Sequence, residues 1–133
     1  MIETEKFFNL KWLVVAVTFT AIIILLTHLP QEVLSEQLKA IEVSDIYKHI
    51  VAYGVITFLF LLSFRNSLSL IQTLLLFLTI SAVATLDELT QPFVNRIASP
   101  IDWLADIIGI IIPLLIFLYF SRTKNQAVIN TDL

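Results

Sequence analysis

Four long apolar runs constrain this chain more than anything else in it. Residues 12–29 read WLVVAVTFTAIIILLTHL, with no Asp, Glu, Lys or Arg. Similar runs cover 46–64, 68–89 and 101–120. A membrane-spanning helix needs about 20 mostly apolar residues, and each run meets that length. Charged residues make up 14% of the chain, against roughly 25% in a soluble domain. No segment alternates apolar and polar residues as a barrel strand must. The expected fold is an all-α integral membrane protein, a bundle of four transmembrane helices. Residues 1–120 form one transmembrane domain, and 121–133 a polar cytoplasmic tail without fixed structure.

Other classes fall away quickly. With no cysteine, disulfides, thiol chemistry and cysteine metal ligands are excluded. A net charge of −3 provides no basic patch, so nucleic acid is not an expected partner. Lys6 and Lys11 precede the first run as in a signal peptide, but Thr27-His28-Leu29-Pro30 is no small-x-small cleavage site. His28 reads as an interfacial end residue rather than a ligand.

The connections follow from local chemistry. Residues 30–44 are polar, with Pro30 suited to a first helical turn and Leu34, Leu38 and Ile41 at helical spacing. A short outward-facing helix on the membrane surface and a solvated connector fit equally. Ser44 can cap the second span and puts Asp45 in its first turn, where the helix dipole favours an anion. Arg65-Asn66-Ser67 reads as a tight turn. Pro92 disfavours helix at Gln91 and ends the third span. Ser99-Pro100-Ile101-Asp102 is a capping-box pattern opening the fourth.

Four spans place both termini on one side. Lys6, Lys11, Arg65, Arg122 and Lys124 share it, against Lys39, Lys48 and Arg96 on the other. The positive-inside rule then gives an N-in, C-in topology. The starts of spans two and four and the end of span three meet at the outer interface.

Ionisable residues gather at that level. Asp45, His49 and Tyr53 lie four apart and share a helix face. Asp87 and Glu88 end an apolar run at a helix C-terminus, where the dipole opposes negative charge. They need partners, and Arg96, Lys48, His49 or a bound cation would serve. Asp106 lies past the first turn, between Ala105 and Ile107, so capping does not explain it. Asp45 and Asp102 are accounted for by capping or first-turn roles, Arg96 by an ordinary loop charge, and Tyr53 by packing. A carboxylate in an apolar helix is costly unless it has a partner or a task.

Three chemistries fit. His49 with Glu88 or Asp106 forms an acid–base pair. His49 with two carboxylates, Glu88 and Asp106, holds a divalent metal. Two helix N-termini with Arg96 hold a phosphate or carboxylate of a lipid-linked ligand. None of these follows a known metal or triad spacing.

Taken in order, Asp45 with His49-x-x-x-Tyr53, Asp87-Glu88-x-x-Gln91-x-Phe93, Arg96, Asp102 and Gly109 resemble the VanZ-like family of small bacterial membrane proteins. The resemblance covers residues 44 to 112. The chain departs from it in having Ile46 where the family often has lysine, and Asp106 where it often has asparagine. The resemblance implies a multi-pass protein of the cytoplasmic membrane, in a family linked to resistance to the glycopeptide teicoplanin and without a settled biochemical activity.

The resulting expectation is a polar outer-leaflet pocket for a membrane lipid or lipid-linked cell-wall intermediate. His49, Glu88 and Asp87 are the candidate catalytic groups. Arg96, Gln91, Tyr53 and Asp102 would contact substrate, and His49, Glu88 and Asp106 a metal, with Asp45 and Gly109 structural. The alternative is a non-enzymatic membrane partner or assembly protein, or homo-oligomer, whose polar cluster is a structural network. A channel would require an oligomer, because four spans make a thin conduit.

Overall fold

A computed structural model describes residues 7–29 and 45–131. The expectations for 30–44, including the surface helix and the Ser44 cap, lie outside the described residues. Among the described residues there are four long helices and no strand. They are α1 (Leu10–Thr27), α2 (Asp45–Ser63), α3 (Leu70–Thr90) and α4 (Pro100–Thr131), with a 3-10 turn at Gln91–Val94 between the last two. All four are long and apolar enough to cross a membrane.

The boundaries have local causes. α3 starts at Leu70, two residues later than composition suggests, because Ser69 and Gln72 form a reciprocal capping box. α3 ends at Thr90, next to Pro92, but Gln91 does not leave the helical region as expected: it is αR at φ −55°, ψ −38° and opens the 3-10 segment, with Pro92 in its first turn. That segment closes on Asn95 in the left-handed region, at φ 59°, which asparagine tolerates better than most residues. α4 runs on to Thr131, where a tail without fixed structure was expected from residue 121. No glycine or proline occurs between 114 and 131 to stop it.

The helices pack in the order α1, α2, α4, α3. Hydrogen bonds at the two ends set their directions. At one end Asn9 N–H donates to the Ser63 carbonyl at 2.7 Å and Arg65 N–H to that of Phe7 at 3.1 Å. The Phe8 and Phe64 rings meet there, 5.0 Å apart. At the other end the last turn of α1 meets the last turn of α3, through Thr27 and Asp87. The second turns of α2 and α4 meet through His49 and Asp106. α2 and α4 therefore run parallel.

α2 and α4 pack against each other more extensively than any other pair, and Gly109 lets their backbones approach. A Cβ on Gly109 would lie 2.4 Å from the Ile50 carbonyl oxygen, which no backbone tolerates. Pro113 has no N–H for the Gly109 carbonyl. That oxygen turns toward Gly54, whose own Cβ would sit an ordinary 3.5 Å away. Weak Cα–H···O contacts are common at such crossings.

Tyr53, Ile56, Ile80, Ala84 and Ile110 form the buried core. Leu70, Ile71, Leu74, Leu75 and Leu78 of α3 stay exposed. In water such an apolar exterior is an aggregation liability; in a bilayer it is the surface the solvent prefers. Thr57, Thr73, Thr79 and Thr85 donate to carbonyls one turn back. Their hydroxyls thus enter apolar helices already satisfied.

Candidate functional site: two polar clusters at one end of the bundle

The buried carboxylates among the described residues all lie at one end of the bundle, where α1 and α3 end and α2 and α4 start. These separate into two clusters. The first surrounds Asp87, which is 2% exposed. Thr27 Oγ1 donates to Asp87 Oδ1 at 2.7 Å. His28 Nδ1 lies 3.4 Å from the same oxygen. Tyr53 donates its hydroxyl to Oδ2 at 3.4 Å. His28 Nε2 is also 2.9 Å from Thr90 Oγ1, so its ring bridges the tips of α1 and α3. Both carboxylate oxygens of Asp87 are occupied.

The second cluster joins three elements. His49 Nδ1 of α2 lies 2.8 Å from Asp106 Oδ1 of α4. Glu88 of α3 completes a trio whose nearest ligand atoms all lie within 4.8 Å of one another. Glu88 is 5% exposed and Asp106 fully buried. Glu88 is held from two sides. Gln91 Nε2 donates to Oε1 at 3.1 Å, and the Ser99 backbone N–H donates to Oε2 at 2.9 Å. Asp106 is different, because its Oδ2 is buried and has no hydrogen-bond partner. Buried polar atoms are rarely left so.

The expected site residues thus divide. His49, Glu88 and Asp106 come together as the metal-ligand expectation requires, with Gln91 supporting Glu88. Asp87 stands apart from them and is enclosed by partners. Tyr53 is buried against Asp87 rather than open to a ligand. Arg96 does not reach the acids. Its Nη1 donates to the Thr27 carbonyl at 2.8 Å, because the 3-10 turn and left-handed Asn95 swing it toward the end of α1. Lys48 pairs with Asp45 at 2.8 Å on the exposed side of α2, so neither basic residue partners Asp87 or Glu88.

Asp102 occupies the first turn of α4, with its backbone N–H 3.3 Å from Ser99 Oγ. The capping box expected there is split. The Ser99 N–H that Asp102 would accept goes to Glu88 instead. Gly109 lies at the α2–α4 crossing, against the Ile50 backbone.

Sequence reasoning missed Thr27 and Thr90 and put His28 at the interface. It also missed the backbone N–H of Ser99 and the Trp103 side chain, whose Nε1 donates to Thr85 Oγ1 at 3.0 Å and ties α4 to α3. One signal was available: Thr27 and His28 are the polar pair closing an otherwise apolar run. No family model, curated protein or solved structure matches this chain.

Proposed function

We propose that this chain is a VanZ-like protein of the bacterial cell envelope, multi-pass in the cytoplasmic membrane with both termini inside. Its outward-facing polar pocket binds or modifies a lipid or a lipid-linked cell-wall component. The observation that carries this reading is Asp106: fully buried, tied to His49, close to Glu88, and with one oxygen unsatisfied. Such a group at the end of an apolar bundle has capacity left for a ligand. If a reaction occurs there, His49 is placed to move a proton, with the Asp106 carboxylate orienting its ring. The family's link to teicoplanin resistance is part of the same proposal.

The test is binding in nanodiscs, with a photoactivatable polyprenyl phosphate competed by neutral and by anionic phospholipid. Saturable labelling is expected, falling roughly tenfold or more in Glu88→Gln while the protein stays folded and inserted. Equal labelling of wild type and Glu88→Gln would reject the pocket. Orientation has its own test, since a cysteine-free chain gives no background labelling. A cysteine at Ala98 should react with impermeant maleimide from outside, and one at Asn66 only from inside.

The second reading, a non-enzymatic partner or assembly protein, is favoured by the Asp87 cluster. Both Asp87 oxygens accept a hydrogen bond within the chain, from Thr27 and from Tyr53, as expected of interhelical glue. If that holds for the whole polar set, Glu88→Gln weakens folding or partner binding and no ligand step separates from it.

A further inference from the structure

We propose that His49, Glu88 and Asp106 form a divalent-cation site with coordination positions open to an oxygen of the bound ligand. The ligand half of this inference rests on the pocket reading above. The metal half rests on the three side chains alone.

Geometry is the first support. One nitrogen and two carboxylates reach within 4.8 Å of one another from three different helices. Two ligands held at about 2.1 Å and a right angle from one ion are about 3 Å apart. The 2.8 Å between His49 Nδ1 and Asp106 Oδ1 suits such a pair as well as it suits a hydrogen bond. Glu88 is positioned by Gln91 and by the Ser99 N–H, as ligating carboxylates commonly are by their outer neighbours.

The second support is independent: the unpartnered Oδ2 of a fully buried Asp106. Protonating it would not resolve the deficit, since an orphan acceptor becomes an orphan donor. A cation satisfies it directly.

Charge is the third. Among the described residues His49 is the one basic group within ion-pair distance of either carboxylate, and it reaches only Asp106. Two buried carboxylates with one imidazole leave negative charge uncompensated, and a divalent ion with neutral imidazole balances them. One imidazole and two carboxylates without sulfur suit Zn²⁺ or Mn²⁺ rather than Cu(I). Three protein ligands leave at least one position for water or for a phosphate or carboxylate oxygen, as in catalytic zinc sites.

The experiment uses the full chain in detergent, stripped with EDTA and dialysed against Zn²⁺ or Mn²⁺, with bound metal counted by mass spectrometry. One ion per chain is expected. Affinity should fall roughly tenfold or more in Asp106→Asn and in Glu88→Gln. It should be unchanged in Asp87→Asn, which removes an equally buried charge from the neighbouring cluster. Wild type binding well below one ion per chain overturns the site, as does Asp106→Asn binding like wild type. Should those variants fail to fold, pulsed EPR of Mn²⁺-loaded His28→Gln decides. Nitrogen coupling must persist there, because only His49 remains, and its absence overturns the assignment. Polyprenyl phosphate labelling that is the same with and without metal overturns the ligand half and leaves the pocket. Stoichiometric metal with no labelling leaves the metal site and removes the pocket.

Discussion

Asp87 and Glu88 are adjacent in the chain and buried alike, yet they belong to different clusters. Successive residues on a helix point about 100° apart, which is enough to send one toward α1 and the other toward α4. Asp87 meets Thr27, His28 and Tyr53 and has no oxygen to spare. Glu88 is held by Gln91 and Ser99 and faces His49 and Asp106, where an oxygen is left over. The contrast separates two uses of a costly group in an apolar bundle. Asp87 fastens helices together with both oxygens occupied, whereas the oxygen without a partner beside Glu88 belongs to Asp106 and, under the proposed function, is the capacity kept for a ligand. Proximity in sequence tells nothing about which use applies.

The sharpest way to break the pair apart is to move α4, which contributes a side chain to only one of the two clusters. Gly109→Ala puts a methyl group 2.4 Å from the Ile50 carbonyl, so α2 and α4 must separate. Overpacking costs about 1–3 kcal/mol, and a backbone neighbour puts this case at the upper end. The shift occurs one helical turn from Asp106, so the His49 contact should be lost while the Thr27–Asp87 link survives. Gly54→Ala meets nothing closer than 3.5 Å and, inside a helix, should leave stability unchanged or raise it by about 0.4–1 kcal/mol. Thermal unfolding in detergent, read beside metal stoichiometry, checks both. Equal stability of the two alanine variants would show that the crossing is not set by Gly109.

The next largest effect compares the carboxylates themselves. Asp87→Asn keeps the shape but turns half the group into a donor facing the Thr27 and Tyr53 hydroxyls. Interhelical hydrogen bonds in membranes average about 0.6 kcal/mol, so losing one or both of these two costs about 0.6–1.2 kcal/mol. Asp106→Asn removes a buried charge that has one partner. It should leave stability within about 0.5 kcal/mol, or raise it, because uncompensated buried charge is itself destabilising. Ligand and metal binding should show the reverse order, intact in Asp87→Asn and lost in Asp106→Asn. Both variants losing stability and binding together would merge the two clusters into one network.

The division also explains what was readable beforehand. The four helices were legible because a bilayer demands contiguous apolarity, and 12–29, 46–64, 68–89 and 101–120 supply it. His49, Glu88 and Asp106 were legible because ionisable groups inside such runs stand out against their cost. The Asp87 partners were not. Thr27 and His28 reach Asp87 only through the rotation of α1 about its own axis. α1 is apolar on every face, so no stripe in its sequence reports that rotation. Arg96 was misplaced because its direction depends on the 3-10 turn and on the left-handed Asn95, a backbone detail that charge alone does not carry. The length of α4 was missed because polar composition suggests disorder, whereas helix termination needs a breaker and none is present before Thr131.

The smallest effect is also the most selective. Thr27→Val keeps the volume of the side chain and deletes only its hydroxyl, so Asp87 Oδ1 loses its 2.7 Å donor and keeps His28 at 3.4 Å. One lost interhelical bond corresponds to about 0.6 kcal/mol, with about 1.7 the largest seen in a comparable membrane protein. The loss should fall on the α1–α3 contact alone. Hydrogen exchange at the last turn of α1 should quicken, while exchange at the first turns of α2 and α4 stays as in wild type. Metal stoichiometry should not change, because no atom of the second cluster touches Thr27 among the described contacts. A Thr27→Val protein that binds metal several-fold less tightly would mean that the Asp87 hydrogen bonds set the position of Glu88 through the shared last turn of α3. In that case saturation of one carboxylate would be a condition for the reactivity of the next.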